Sequence, residues 1–308
     1  MILTISANPC MDCTIELDSL NVGKLNRIQN TTRTYAGKGL NVAIAVARLN
    51  AQSYTTGFMF ENDKALFETR LKGEGVKYKF VYNEGNVRVN YKIIDHRSML
   101  TEINDKGGLV SRENQLKLIE MVKELSKNAS IAVMSGSLPQ GVESSFYNEV
   151  LSVVPQNVKK VVDAEQHNMV EALKGGAYLI KPNLYELQGM VGDILTSKRE
   201  VVEASKMLFD KYNLKYILIS LGEDGAILTD GNKSCYAKTA NVAVNSRVGA
   251  GDSMVGAACV QIENGAPIDE ILRSSVAAGT AAITTKGTEL FYKDKYEEIY
   301  KTVTVENI

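Results

Sequence analysis

A carboxylate stands where an apolar helical pattern begins in "VGAGDSMVG", residues 248–256, directly after three small residues. A turn without bulky side chains, here Gly249, Ala250 and Gly251, lets backbone N–H groups approach an anion, and the helix N-terminus adds its positive dipole. Asp252 could then accept the proton of an attacking hydroxyl while the amides hold charge on a transferred phosphoryl group. The pattern fits equally a carboxylate that only caps its helix.

A second glycine-rich turn, "AGKGLNVA", also leads into a helical pattern. It has the spacing of neither a Walker A loop nor a Rossmann fingerprint. Gly37 and Gly39 would let a ligand come close to the backbone, and Lys38 and Asn41 could hydrogen-bond its hydroxyls or phosphate. A solvated turn is the alternative.

The stretch "VRVNYKII" alternates in the way a half-buried strand does. Arg88, Asn90 and Lys92 share one face, which is either an ordinary solvent face or a surface for a phosphorylated substrate, since Arg can bind phosphate bidentately. Asp12 begins another alternating stretch, where a short carboxylate could bind sugar hydroxyls. The two stretches predict a small sheet set apart from the main core.

Asn183 and Glu186 lie three residues apart in "KPNLYEL", on one face at the start of a predicted helix. An amide and a carboxylate suit Mg²⁺, often through water. The same pair forms a capping box, which the pattern alone favours.

Composition narrows the class of protein. The 308 residues carry 35 basic and 36 acidic side chains, a net charge of −1, so no basic excess indicates a nucleic-acid or membrane partner. No apolar run reaches about 18 residues, and the N-terminus lacks a basic segment, which indicates a cytoplasmic protein without a transmembrane helix or signal peptide. Cys10 and Cys13 form a C-x-x-C, but no second cluster completes a zinc site, so we interpret them as incidental thiols.

Strands and helices alternate from about residue 111 onward, which predicts an α/β fold: a mostly parallel sheet with helices on both faces. Polar clusters follow the predicted strands in "SGSLP", "DAEQ", "KPN" and "SLGEDG". Because ligands of open α/β sheets bind beyond the carboxyl ends of the strands, one site could gather these clusters.

Seven stretches, in order, resemble the PfkB carbohydrate kinase family, which has the ribokinase-like fold. They span nearly the whole chain: "NPCMD", "AGKGLNVA", "RVNYK", "SGSLP", "KPNLYEL", "SLGEDG" and "VGAGDSMVG". The resemblance implies a single domain over residues 1–308, with a small lid sheet from strands at about 12–34 and 86–104 that covers the sugar and often joins two subunits into a homodimer.

The resemblance implies an ATP-dependent kinase of a ketohexose monophosphate, with fructose 1-phosphate to fructose 1,6-bisphosphate expected ahead of phosphorylation of tagatose 6-phosphate. Asp252 matches the family's catalytic base, and residues 249–251 match its anion hole. The positions matching the ATP site are Lys181, Ser220, Leu221, Gly222, Glu223, Asp224 and Gly225, and those associated with Mg²⁺ are Asn183 and Glu186. The expected sugar-binding positions are Asp12, Gly37, Lys38, Asn41, Arg88, Asn90 and Ser137.

Two stretches depart from the family pattern. Arg247 stands where the family usually has Thr, Ser or Pro, which removes an expected hydroxyl near the ATP phosphates, although Arg could itself bind an anion. "DAEQHN", beginning at Asp163, is an unusual variant, and its residues are left outside the predicted site. A non-catalytic sugar-phosphate sensor on the same fold is the alternative from another class, but it would have no need of Asp252, Asn183 and Glu186 together.

Overall fold

Two β-sheets organise the chain in a computed structural model that describes residues 1–97, 99–285, 287 and 289–308. The large sheet contains β1 (Ile2–Ser6), β4 (Ser53–Phe60), β5 (Lys77–Asn83), β8 (Ile131–Ser135), β9 (Lys159–Asp163), β10 (Leu179–Ile180), β11 (Tyr216–Ser220), β12 (Ala226–Thr229), β13 (Ser234–Ala237) and β14 (Val305–Asn307). The small sheet, called the lid below, contains β2 (Cys10–Leu17), β3 (Ile28–Ala36), β6 (Arg88–Ile94) and β7 (Leu100–Asn104).

The large sheet has the strand order β14-β13-β12-β11-β10-β9-β8-β1-β4-β5. The strands from β5 to β11 in this order are parallel, and β12, β13 and β14 are antiparallel additions at one edge. Every residue of β1 and β8 is buried, as expected for parallel strands covered on both faces. The predicted α/β fold with a mostly parallel sheet is confirmed.

The helices form two groups of packing neighbours. Their bounds are α1 (Lys38–Arg48), α2 (Lys64–Gly73), α3 (Arg112–Ser126), α4 (Ser145–Ser152), α5 (Gln166–Lys174), α6 (Leu184–Val191), α7 (Lys198–Lys211), α8 (Ala250–Glu263), α9 (Ile268–Ile283) and α10 (Lys293–Tyr300). One group joins α1, α8, α9 and α10, and the other runs from α3 to α7. None of the helices in the described part of the chain is long and apolar enough to cross a membrane.

The lid has the strand order β3-β2-β6-β7, with β2 and β6 parallel. Its strands lie close to the predicted ranges, and Ser98, which falls within the range 86–104, is outside the described residues. The alternation expected in β2 is wrong in one respect, because Asp12 and Thr14 are as buried as Cys13. The face with Asp12 turns into a cavity, where Asn90 and Lys92 hydrogen-bond its carboxylate.

Sequence patterns did not identify α2 and β5. Only Phe67 and Leu71 of α2 are buried, so the helix shows little of the apolar period that marks an amphipathic helix. β5 forms the edge of the large sheet and alternates lysine with aromatic residues. Both elements are recognisable only once the sheet that they cover or extend is known.

Candidate active site

The N-terminus of α8 is left open by its sequence. Gly249 precedes the helix with φ 82°, in the left-handed region, and a Cβ there would lie 2.7 Å from Leu290 Cδ2. No side chain caps the helix. The first backbone N–H groups, which have no intrahelical acceptor, can therefore bind an anion.

Asp252 is the third residue of α8 and does not cap it. Its side chain is 6% exposed, and Asn41 on the neighbouring α1 donates from Nδ2 to its Oδ2 at 2.7 Å. Burial raises the pKa of Asp252 to about 6, against the opposing effect of the Lys38 ammonium. A buried carboxylate with this pKa is suited to accept a proton near neutral pH.

Asp163, at the end of β9, is a central residue of the site, although the sequence analysis excluded it. Its buried carboxylate lies 3.5 Å from Lys38 Nζ and 3.2 Å from Lys181 Nζ. Burial by itself would raise the pKa of Asp163, but the two ammonium groups outweigh it and hold this pKa below the ordinary value. The group fixes two cations beside Asp252. The polar cluster "DAEQ" at the end of β9, which begins with Asp163, could have identified this residue from the sequence.

A second buried ion pair lies on the lid. Lys92 Nζ is 3.0 Å from Asp12 Oδ2, and Asn90 Nδ2 donates to Asp12 Oδ1 at 3.0 Å. Lys92 shares the strand face of Arg88 and Asn90 but was not among the predicted site residues. Cys10 Sγ lies 3.6 Å from Asp12 Oδ1, and burial together with this carboxylate raises the pKa of the thiol to about 12. Cys10 is therefore a neutral thiol.

Three buried polar atoms of residues that line the same space have no hydrogen-bond partner among the described residues: Arg88 Nε, Asn41 Oδ1 and Asp163 Oδ1, of which the last is ion-paired with Lys181. Arg88 Nη1 makes a 3.4 Å hydrogen bond to Asn90 Oδ1. Because buried polar groups in folded proteins are nearly always paired, Arg88 Nε and Asn41 Oδ1 are suited to a polar ligand.

These side chains enclose a cavity of about 380 Å³, called the lid cavity here. Its cations are Lys38, Arg88, Lys92 and Lys181. Within the described part of the chain, Arg88 is the one cation of the four without a carboxylate partner, because Asp12 and Asp163 pair with the others. Glu102 and Asn104 of β7 also line the cavity and were not predicted.

A second cavity, of about 620 Å³, lies between α8, α9 and the loops after β11 and β13, and is called the helix cavity here. Met254, Val276 and Ile283 give it an apolar wall, which suits a flat aromatic group. Asn183, Ser220 and Gly251 line both cavities. The open N-terminus of α8 therefore lies where the two cavities meet.

Most predicted site residues line one of these cavities. The lid cavity is lined by Asp12, Gly37, Lys38, Asn41, Arg88, Asn90, Lys181, Asn183, Glu186, Ser220, Gly249, Gly251 and Asp252. The helix cavity is lined by Asn183, Ser220, Gly222, Glu223, Gly225, Ala250 and Gly251. Lys181, predicted for the ATP region, lines the lid cavity, where its ammonium pairs with Asp163.

Three predicted residues, Ser137, Leu221 and Asp224, line neither cavity. The hydroxyl of Ser137 is used within the protein, where it accepts a 3.2 Å hydrogen bond from Asn8 Nδ2. The sequence analysis also missed the stretch 238–242, which lines the helix cavity from an irregular loop and carries no pattern that marks a binding site.

Asn183 and Glu186 form a complete capping box on α6: each backbone N–H donates to the other's side-chain oxygen at 2.8 Å. The box uses Asn183 Oδ1 and Glu186 Oε2, and leaves Glu186 Oε1 for other contacts. Both side chains line the lid cavity. The described residues contain no cluster of three or more His, Cys, Asp or Glu side chains that could hold a metal directly. The donor set therefore fits Mg²⁺ held through water.

A parallel α/β sheet with a separate lid, and a buried carboxylate at a helix N-terminus between two cavities, are the features of a small-molecule kinase. Residues 6–295 match the model of the pfkB family carbohydrate kinases, and the chain belongs to this family.

Its relatives are sugar-phosphate kinases. The chain is 32% identical to 1-phosphofructokinase of Borreliella burgdorferi, over 96% of this chain and 95% of that protein. It is 28% identical to tagatose-6-phosphate kinase of Staphylococcus epidermidis, over 99% of both. The crystal structure of phosphofructokinase-2 from Escherichia coli in complex with substrates and products superposes with a TM-score of 0.91, at 28% identity over 98% of both chains.

Proposed function

We propose that this protein transfers the γ-phosphoryl group of ATP to fructose 1-phosphate and so forms fructose 1,6-bisphosphate. The observation that carries the proposal is Asp252, a buried carboxylate that does not cap its helix and faces the lid cavity where the two cavities meet. The family and the 1-phosphofructokinase relatives support the reaction class.

Asp252 would take the proton of the attacking primary hydroxyl, since its pKa of about 6 leaves it ionised at neutral pH. The open amides of α8 would stabilise charge on the transferred phosphoryl group. Lys38 and Lys181, fixed by Asp163, add positive charge on the same side. In this type of reaction, positioning and electrostatics provide most of the acceleration.

The helix cavity would hold ATP, with the adenine against the apolar wall and the triphosphate directed toward Gly251. Asn183 and Glu186 would hold Mg²⁺ through water, and the ion would neutralise phosphate charge. The lid cavity would hold the sugar, with its existing phosphate on Arg88, the cation there that no described carboxylate neutralises.

A substrate panel tests the proposal. ADP release is measured with ATP, Mg²⁺ and one of fructose 1-phosphate, fructose 6-phosphate or tagatose 6-phosphate, using Asp252→Asn as the inactive reference. We expect the highest kcat/KM with fructose 1-phosphate. No ADP release above the reference with any of the three would overturn the kinase activity and leave the sugar-phosphate sensor as the interpretation.

Tagatose 6-phosphate is the second candidate substrate. A relative named tagatose-6-phosphate kinase matches this chain over its full length at almost the same identity as the 1-phosphofructokinases. The two sugars carry the phosphate on opposite terminal carbons, C1 in fructose 1-phosphate and C6 in tagatose 6-phosphate, and differ in configuration at C4. The same panel therefore distinguishes them by the ratio of the two kcat/KM values.

A homodimer formed through the lid is also part of the proposal. Because Asn90 and Lys92 line the lid cavity, Tyr91 points to the opposite face of the lid, where it pairs with Ile103. Both side chains are exposed, and apolar surface of this kind is suited to a second subunit. Light scattering of the wild type and of Ile103→Asp tests it.

The four cysteines are free and buried, which fits the proposed reducing cytoplasm.

A further inference from the structure

Two oppositely charged side chains stand at the rim of the helix cavity. Arg247, in the loop before α8, and Glu223, in the turn after β11, both line this cavity. Their side chains are 84% and 88% exposed, and Arg247 Nη2 lies 4.0 Å from Glu223 Oε2. This separation is too long for a hydrogen bond. An exposed ion pair of this kind contributes little to the free energy of folding. Arg247 can therefore exchange Glu223 for a more highly charged anion at little cost.

The position of Arg247 brings it within reach of the phosphate chain of a bound nucleotide. Two residues lie between it and Ala250, so their Cα atoms are at most about 11 Å apart along the backbone, and Ala250 begins the open N-terminus of α8. The apolar wall lines the same cavity as Arg247. A triphosphate that joins the wall to the helix N-terminus would therefore run through the cavity that Arg247 lines.

We propose that Arg247 binds the phosphate chain of the donor nucleotide and that Glu223 competes with the nucleotide for Arg247. This inference rests on the proposed use of ATP and adds a residue that determines donor affinity. Arginine supplies two parallel N–H donors to phosphate oxygens, and several phosphate charges outweigh one solvated carboxylate. Glu223 then weakens ATP binding because it occupies the arginine that the phosphates would use.

ATP titration of the sugar-free protein by calorimetry tests the inference without turnover. The variants are Arg247→Ala, Arg247→Lys and Glu223→Gln, with Arg199→Ala on the exposed surface of α7 as a control of equal charge change. We expect Arg247→Ala to weaken ATP binding about three- to tenfold, and Arg247→Lys to retain part of the affinity. Glu223→Gln should tighten binding about twofold, and Arg199→Ala should bind like the wild type.

The double variant separates competition from simple repulsion. If Glu223 acts through Arg247, Glu223→Gln no longer tightens binding once Arg247 is alanine. Steady-state kinetics should show a higher KM for ATP in Arg247→Ala and an unchanged KM for fructose 1-phosphate.

Equal ATP affinity in the wild type, Arg247→Ala and Arg199→Ala would overturn the inference. A gain from Glu223→Gln that persists in the Arg247→Ala background would overturn the competition. A wild type that binds ATP but phosphorylates no sugar phosphate would overturn the proposed function alone, because the titration still reports on Arg247.

Discussion

The two cavities that meet at the start of α8 are built in different ways. The lid cavity is lined by charged side chains, and its buried carboxylates Asp12 and Asp163 hold three lysines in fixed pairs. The helix cavity is larger, has an apolar wall, and carries an ion pair, Arg247 with Glu223, at the solvent-exposed rim. The lid cavity holds its charged side chains in fixed positions without a ligand. The helix cavity instead provides an apolar wall and backbone N–H groups for binding.

This difference determines how each cavity responds to substitution. Removing a buried charge leaves its partner unpaired in a poorly solvated site, so the effects are large. Removing an apolar contact or a solvated charge changes affinity by a smaller amount. We therefore expect substitutions in the lid cavity to have large effects on catalysis, and those in the helix cavity to have small effects on the KM for ATP.

The largest effect is expected for Asp252→Asn. Loss of the base should lower kcat by about 10²- to 10⁴-fold. The unfolding temperature at pH 7 should stay the same or rise, because a buried charge is replaced by a neutral amide. Steady-state kinetics and thermal unfolding measure the two effects, with the exposed Asp210→Asn as the control. Turnover within a few-fold of the wild type would exclude Asp252 as the base.

Arg88→Ala should produce the next largest effect. The guanidinium is the cation of the lid cavity that no described carboxylate neutralises, so its loss should raise the KM for the sugar phosphate about 10- to 100-fold. The KM for ATP should stay within about twofold, which tests the separation of the two cavities. An unchanged KM for the sugar phosphate, as expected for Arg199→Ala, would place the substrate phosphate elsewhere.

The rate should depend on pH through Asp252. Its pKa is raised to about 6, mainly by burial, and only the ionised carboxylate can accept a proton. The kcat/KM for the sugar phosphate should therefore be level above this pH and fall about tenfold per pH unit below it. Because the substrate phosphate also titrates near pH 6, the profile is compared with that of kcat, which reports the bound complex. A kcat that stays level down to pH 5 would contradict the assignment.

Asp163→Asn should shift that profile. The carboxylate of Asp163 raises the pKa of Asp252, and Lys38 and Lys181 lower it. Removing the negative charge while keeping both lysines should move the acid limb to lower pH, with a loss in kcat at pH 7 of about five- to tenfold from misplaced lysines. Stability should fall by about 3 kcal/mol, mainly because the buried Lys181 loses its partner, while Lys38 is partly exposed and loses less. A loss of rate without a shift of the limb would assign Asp163 a purely structural role.

The sequence predicted the elements more fully than it predicted the pairings within the site. Hydrophobic patterns, polar clusters at strand ends and the family resemblance together predicted the sheet, the lid and most of the residues around both cavities. They could not distinguish a cap from a base at Asp252, because that depends on where α8 begins and on the buried contact with Asn41, 211 positions away. They excluded Asp163 for its unusual neighbours, although its role depends on which cations the fold brings to it. The loop at 238–242 has no regular pattern, and its place in the lining of the helix cavity depends on the tertiary fold.

The smallest effect is expected for Gly279→Ala, in the wall of the helix cavity. A Cβ at this position would lie 2.8 Å from Met254 Cγ and 3.2 Å from its Sδ. The methionine is flexible and can turn away, but it then enters the space that the nucleotide base would occupy. The KM for ATP should rise about two- to fivefold, with kcat and the KM for the sugar phosphate unchanged. Gly73→Ala on α2, where a Cβ meets open space, is the matched control. If Gly279→Ala instead lowered kcat as strongly as the lid-cavity variants, the two cavities would not be independent, and the shared residues Asn183, Ser220 and Gly251 would have to transmit the change.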